Sequence, residues 1–396
     1  EGFSSIYETY GEALKAHIEL EYLGAPVKTE ALQKHLGTLD PLEETVEFIE
    51  CFGIDNPHSN AQLSNYIKET YEGIDIPKTE KTGQLQLSGE ILEELKDKDK
   101  LFQKLHAHRQ KTQDYKEHKK LFEAISPITG RVHASCRVLG ASSGRTLTSN
   151  PNFQGQAKSV RSFIGVPEGS GLRITSADYS QQELRIFSIL TRNETFLQIL
   201  EEGGDGYKGV ASTVLNKPMS EISEQERKVF KRVTLALLYG QGTKLLAGQL
   251  NKPIEETKKL YGEVKDILGV DVLQRKLKQE HKNGYVPTVF GKSTRKIIDR
   301  WQTLREYQLI NYAIQGTASN IGILALIKLT KRLKGLGLVF GYIHDEFLVE
   351  HSLSEADRVK DVVKTAMEEA FLECFGEAER QRKFLVEVNI NTHWEK

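Results

Sequence analysis

The sequence predicts an α+β protein: one mostly antiparallel sheet interrupted by long helical insertions. Three observations carry that expectation. Short apolar runs at 172–177, 338–343, 346–350 and 384–390 read as strands. Helical blocks lie between them, and the middle pair flanks a tight turn at His344-Asp345. At 396 residues, 38% hydrophobic and 28% charged, the chain is long enough for two or three domains, each with its own core.

Taken in order, residues 6–23 have helical apolar spacing and stop at Gly24-Ala25-Pro26. Residues 27–82 read as short helices broken by Gly37, Asp40-Pro41, Asn56-Pro57 and Ile76-Pro77. From Ser88 to about Ile125 the pattern is a long, basic helical hairpin. The stretch Gly140–Arg145 is too polar for core. Residues 172–177 form a buried strand, and helix resumes after Ser180, with Ser180 and Glu183 spaced as a capping box. Residues 221–240 and 254–283 read as helices, Tyr285 to Arg295 as a hairpin turning at Gly291, and 303–334 as helix again. A second hairpin brackets His344-Asp345, followed by a helix over 355–375 and a last strand over 384–390. No internal repeat or low-complexity tract interrupts this order.

Composition excludes several classes. No run approaches the ~18–20 apolar residues of a membrane span, and no signal peptide is visible. Cys51, Cys136 and Cys374 are odd in number and widely spaced, which argues against a disulfide framework or structural zinc. A reducing compartment is expected, the cytoplasm of a bacterial or phage-infected cell or an organellar matrix. The chain opens on Glu1 rather than Met, so a piece of a longer polypeptide is expected. The net charge of −1 conceals strong segregation. Residues 1–95 hold 19 acids against 6 Lys/Arg; residues 96–145 hold 12 Lys/Arg against 5 acids, and 227–300 hold 17 against 7. Two basic blocks admit a nucleic-acid partner, because phosphate neutralisation supplies most sequence-independent affinity.

Three segments carry the chemistry. In the first, a strand delivers Asp178 at its end, where a carboxylate can hold a divalent cation. In the second, Arg227, Lys231, Leu235 and Tyr239 recur every four residues. Each step of four turns a helix by ~40° and advances it ~6 Å, so they form one slowly winding stripe ~18 Å long. It runs from two cations to an apolar side chain to an aromatic ring, the order of a nucleoside triphosphate's tail, sugar and base. In the third, His344, Asp345 and Glu346 sit at a turn between apolar strands. Each has a plainer meaning alone: a capped helix, a basic helix with core residues, a polar turn. Together, two separated aspartates can bracket a pair of Mg²⁺ ions, leaving positioning and charge stabilisation as the protein's work in phosphoryl transfer.

These segments resemble motifs A, B and C of the family A DNA polymerases, the DNA polymerase I group. The strings DYSQxELR, RxxxKxxx…YG and HDE stand at Asp178–Arg185, Arg227–Gly240 and His344–Glu346. Ser143-Gly144-Arg145 through Gln154 is similar to the family's TGRLSS…PNLQ segment, and Ile310–Ala318 to its INxxxQGTAA helix. The resemblance runs from about residue 15 to the C-terminus.

It implies the right-hand palm, fingers and thumb fold. The palm would take 1–24, 126–193 and 306–396, the thumb 25–125, the fingers 194–305. The implied activity is template-directed addition of dNTPs to a primer 3′ end with release of pyrophosphate. Primer-template DNA would be the partner of a monomer, with two Mg²⁺ ions (Mn²⁺ as substitute) as cofactor. Asp178 and Asp345, with the Tyr179 carbonyl and more remotely Glu346, would hold the metals. Glu183 resembles the steric gate against a ribose 2′-hydroxyl. Arg227 and Lys231 would bind the triphosphate, Lys231 also protonating pyrophosphate, and Tyr239 would guard the templating position. Arg145 and Gln315 resemble minor-groove readers; Asn152, Gln154 and Asn311 would join them on the DNA, and His344 would hold the primer end. Two departures stand out. Leu235 replaces the usual motif B Phe or Tyr, and Tyr207 replaces a His near the triphosphate. No segment resembling a proofreading exonuclease is visible, although an upstream exonuclease or helicase module, or separate replication proteins, are conceivable partners. A single-subunit RNA polymerase and a silent DNA-binding module are the competing readings. Glu183 with the full motif A string argues against the first, and the presence of both aspartates against the second.

Overall fold

The structure is a computed structural model that describes residues 2–71, 73–79, 82–291, 296–299, 303–375 and 386–395, with main chain only for 2–6. It divides into two compact units, one from residues 1–25, 133–155 and 166–395, the other from 26–132 and 156–165.

The first unit is organised by a four-stranded antiparallel sheet in the order Gly337–Ile343, Glu346–Ser352, Leu172–Tyr179, Val386–Asn391. Leu172–Tyr179 is central and buried from Ile174 onward, as a strand covered on both faces must be. Side chains alternate across a strand. Tyr179 enters the core, its hydroxyl donating to Met367 O at 2.8 Å on the helix Ala356–Glu373. Asp178 therefore faces the opposite side. The helix Leu309–Arg332 is buried over most of its surface, and its partly exposed positions include Asn311 and Gln315, one turn apart.

The helix Glu224–Tyr239 begins at a capping box. Ser223 Oγ accepts from Glu226 N, and the Glu226 carboxylate accepts from Ser223 N. It ends at Gly240, which has φ 68°. A Cβ there would lie 2.1 Å from the Tyr307 carbonyl, so only glycine fits.

The second unit packs Phe48, Leu63, Leu92, Leu101, Phe102 and Leu105 from four helices into one core. Its basic block is partly consumed internally. Arg109 donates to Leu87 O, Pro57 O and Asn60 Oδ1, and Lys104 and Lys111 pair with Glu47 and Glu44. Lys116, Lys119 and Lys120 are exposed on the same long helix, Lys100–Glu123.

Several expectations need correction. Residues 254–283 are two helices, Ile254–Leu268 and Val270–Glu280, because Gly269 takes a left-handed φ of 69° between them. The helix expected from 303 begins at Leu309, after a 3₁₀ turn over Glu306–Gln308. The helices Glu194–Glu201, Gly206–Leu215 and Thr243–Leu250 lie where none was drawn. The far arm of the 285–295 hairpin and the start of the last strand, at 384–385, lie outside the described residues. The three cysteines form no disulfide, and burial pushes the Cys136 and Cys374 thiols up to about 11 and about 12. Among the described residues no helix is long and apolar enough to cross a membrane.

Candidate active site

The acidic end of the site is built by main-chain pairing. Asp178 stands opposite Glu346 in the antiparallel register, and the next amide, Tyr179 N, donates to Asp345 O at 3.3 Å. Asp345 belongs to a two-residue turn closing Gly337–Ile343 on Glu346–Ser352. Such turns require positive φ, and His344 supplies it at 59°. Asp178 is buried, Asp345 half-buried and His344 exposed. Glu346 is 4% exposed and its carboxylate accepts from Trp394 Nε1 at 3.0 Å. Among the described residues no three His, Cys, Asp or Glu side chains converge as a metal-ligand group. The candidate donors are thus two aspartates and the Tyr179 carbonyl, a hard-oxygen set of the kind that suits Mg²⁺.

The cationic end is built by side chains. Tyr207, at the start of Gly206–Leu215, lies beneath both cations of the stripe: the Arg227 guanidinium is 5.9 Å from its ring centroid and Lys231 Nζ 5.6 Å. Arg227 also pairs with Asp205, whose other oxygen accepts from Tyr207 N and Lys208 N. Burial, then the nearby Glu183, Asp205 and Asp345 carboxylates, push the Tyr207 phenol well above its ordinary range, so it stays neutral.

Glu183 joins the ends. One oxygen accepts from Arg145 Nη2 and the other from Tyr239 OH, both at 2.6 Å. The capping box expected between Ser180 and Glu183 does not form. Gln181, at φ 53°, is the N-cap of Gln182–Thr191, and the Glu183 carboxylate is drawn away by Arg145 and Tyr239. Arg185, in the same motif, is buried and donates to Leu200 O at 2.7 Å. Leu235 is half-buried along the stripe.

The DNA-binding candidates fall into two groups. His344, Asn152 and Gln154 line one open cleft of about 410 Å³ with Arg137, Thr148 and Ser149. Gln154 also braces that wall, donating to Thr146 O at 2.9 Å. Asn311 and Gln315 are partly exposed one turn apart on Leu309–Arg332, and Ser319 Oγ of that helix donates to Gly144 O at 2.7 Å, beside Arg145. Sequence reasoning missed Asp205, Gln181 and Arg137. Only Asp205 left a signal, an N-cap residue before a glycine.

The candidate site thus combines a strand-delivered aspartate, a turn aspartate paired beside it through the main chain, and a helix carrying two cations over one buried ring. Comparison with known proteins gives the family. The profile described as DNA polymerase family A matches residues 29–396, and the chain belongs to that family. It is 31% identical over 380 residues to DNA polymerase I of Caldicellulosiruptor bescii, covering 89% of this chain and 43% of that protein. It is 29% identical over 335 residues to the thermostable DNA polymerase I of Thermus thermophilus, covering 80% of this chain and 39% of that protein. The chain thus spans about two-fifths of the length of these relatives. Among solved structures it resembles the POL domain of Pol1 from M. smegmatis in complex with DNA primer-template and dNTP. The TM-score is 0.81 at 26% identity, covering 97% of this chain and 69% of that one, so the right-hand polymerase fold is shared.

Proposed function

We propose that this chain is the polymerase core of a template-directed DNA polymerase, adding dNTPs to a primer 3′ end and releasing pyrophosphate. One observation carries the reading: the strand that delivers Asp178 runs on into Gln181, whose amide bonds the turn before Tyr207, the ring beneath Arg227 and Lys231, so acids and cations border one space. That is the charge pattern in-line phosphoryl transfer needs, anionic ligands on one side of the triphosphate and cations on the other.

Asp178, Asp345 and the Tyr179 carbonyl would hold two Mg²⁺ ions, with Glu346 behind them and Mn²⁺ as a substitute. When bound, these ions supply a lowered pKa for the attacking 3′-hydroxyl and charge neutralisation on the departing pyrophosphate. Lys231 and Arg227 bind the triphosphate, Arg227 exchanging Asp205 for phosphate oxygens, and Lys231 gives its proton to pyrophosphate. Leu235 packs on the sugar without a face for stacking, which alters acceptance of dideoxy analogues. Glu183, fixed by Arg145 and Tyr239, crowds a 2′-hydroxyl and so favours dNTPs. Tyr239 stands at the templating position. Arg145 and Gln315 read minor-groove acceptors common to every correct pair, with Asn152, Gln154 and Asn311 beside them and His344 at the primer end. The basic helix of the second unit serves as the thumb, the helices of 194–305 as fingers and the sheet as palm, in a protein acting as a monomer on primer-template DNA.

A primer-extension assay with Mg²⁺ tests this. Extension with dNTPs and not NTPs is expected. Equal use of NTPs favours an RNA polymerase, and primer-template binding without extension favours a silent module.

A further inference from the structure

Gln181 begins the helix Gln182–Thr191 without serving it. It is a non-glycine residue at φ 53°, ψ 38°, and its side chain makes no cap hydrogen bond. Its amide instead reaches a turn more than twenty residues further along. Nε2 donates to Gly204 O at 3.2 Å, and Oε1 accepts from Gly206 N at 3.0 Å. One side chain thus satisfies a donor and an acceptor of the same main-chain turn, as a neighbouring strand would. The fit is close, because a Cβ on Gly206 would lie 2.5 Å from Leu184 Cδ2 and 3.3 Å from Gln181 Oε1.

That turn carries the anchors of the cationic end. Between its two clamped residues stands Asp205, the partner of Arg227 and the cap of the helix bearing Tyr207. Tyr207 follows, beneath Arg227 and Lys231. Gln181 itself lies three residues beyond Asp178 and two before Glu183. We infer that Gln181 is a positioning residue: its amide fixes the distance between the Asp178 strand and the Asp205–Tyr207 support on which Arg227 and Lys231 hold a triphosphate. Its left-handed backbone follows from that role, since the side chain is aimed across the site rather than back along its own helix.

The inference rests on the polymerase reading above, and its test separates the two. Gln181→Leu removes both hydrogen bonds at similar size, Gln181→Asn cannot span both, and Gly206→Ala disturbs the same junction from the other side. KM for dNTP and the inhibition constant of inorganic tripolyphosphate should rise together by about tenfold in Gln181→Leu, the loss of two hydrogen bonds at a positioned turn. Gln181→Asn and Gly206→Ala should move both constants in the same direction. The double variant Gln181→Leu/Gly206→Ala should be no worse than the poorer single one, because both act through one turn. Primer-template affinity should stay within about twofold, since nothing on the DNA-binding face changes. If one variant fails to fold, the other two decide. Unchanged KM and tripolyphosphate inhibition, a loss confined to kcat, or multiplying effects in the double variant would overturn the assignment. Should the parent chain fail to extend a primer, the polymerase reading fails; calorimetric binding of tripolyphosphate to parent and Gln181→Leu then still decides the positioning role.

Discussion

The two ends of the site are held by different means. Asp178 and Asp345 are fixed by a strand ladder and a two-residue turn, so their spacing is set by main-chain hydrogen bonds that no single side chain controls. Arg227, Lys231 and Tyr207 are held by Asp205, Gln181 and ring contacts, each a side chain that one substitution removes. The acidic end is therefore preorganised before any ligand arrives, whereas at the cationic end Arg227 is already paired with Asp205 and, on the proposed function, exchanges that partner for phosphate. A rigid end and an exchangeable end suit an enzyme that keeps its catalytic charges fixed while substrates come and go.

Substitutions at the exchangeable end should sharpen the contrast. Lys231→Ala is expected to lower the single-turnover chemical rate by about 10²–10³-fold, the scale of a lost general acid and phosphate ligand, with folding intact because Lys231 is exposed. Rapid-quench kinetics would show it, and a comparable loss of thermal stability would break the distinction. A smaller effect is expected at the bridge between the ends. Glu183→Ala should raise NTP incorporation relative to dNTP by about 10–100-fold, the range a lost steric contact commands. It also leaves Arg145 and Tyr239 without that partner, so some loss of dNTP incorporation should accompany it.

The smallest effect concerns the rigid end. His17 is buried behind the hairpin, bonded to Ala13 O and Thr146 Oγ1 and edge-on to Tyr342. Burial holds its imidazole below the ordinary histidine range. The unfolded chain takes up that proton near ~6.5 and the folded one resists. The stabilising contribution is thus complete above that pH and is lost as pH falls through it towards the lowered folded value. The melting temperature should drop between pH 7.5 and pH 5 by a few degrees less in His17→Gln than in the parent. An identical drop would mean His17 does not sense acid.

How much could be read from the chain follows the same division. Asp178, the turn at His344-Asp345 and the stripe from Arg227 to Tyr239 were legible because strand ends, two-residue turns and four-residue spacing are local patterns. The sheet and the basic hairpin helix were legible for the same reason. The break at Gly269 was missed because a lone glycine inside an apolar period does not announce a left-handed turn. Ser180 and Glu183 were read as a local box, although Arg145 and Tyr239, 38 and 56 residues from Glu183, compete for the carboxylate. The clamp of Gln181 on Gly204 and Gly206 left no periodic trace. Internal pairing of Lys104, Lys111 and Arg109 was likewise invisible to a count of charges.

At the centre stands the claim that Asp178 and Asp345 work as one unit across the sheet. Single-turnover primer extension with Asp178→Ala, Asp345→Ala and the double variant measures it directly. Each single variant should lose about 10³-fold or more, the worth of several kcal/mol of charge stabilisation, and the double variant should lose little beyond either. Robust nucleotide addition by the double variant, or losses that simply multiply, would contradict the account.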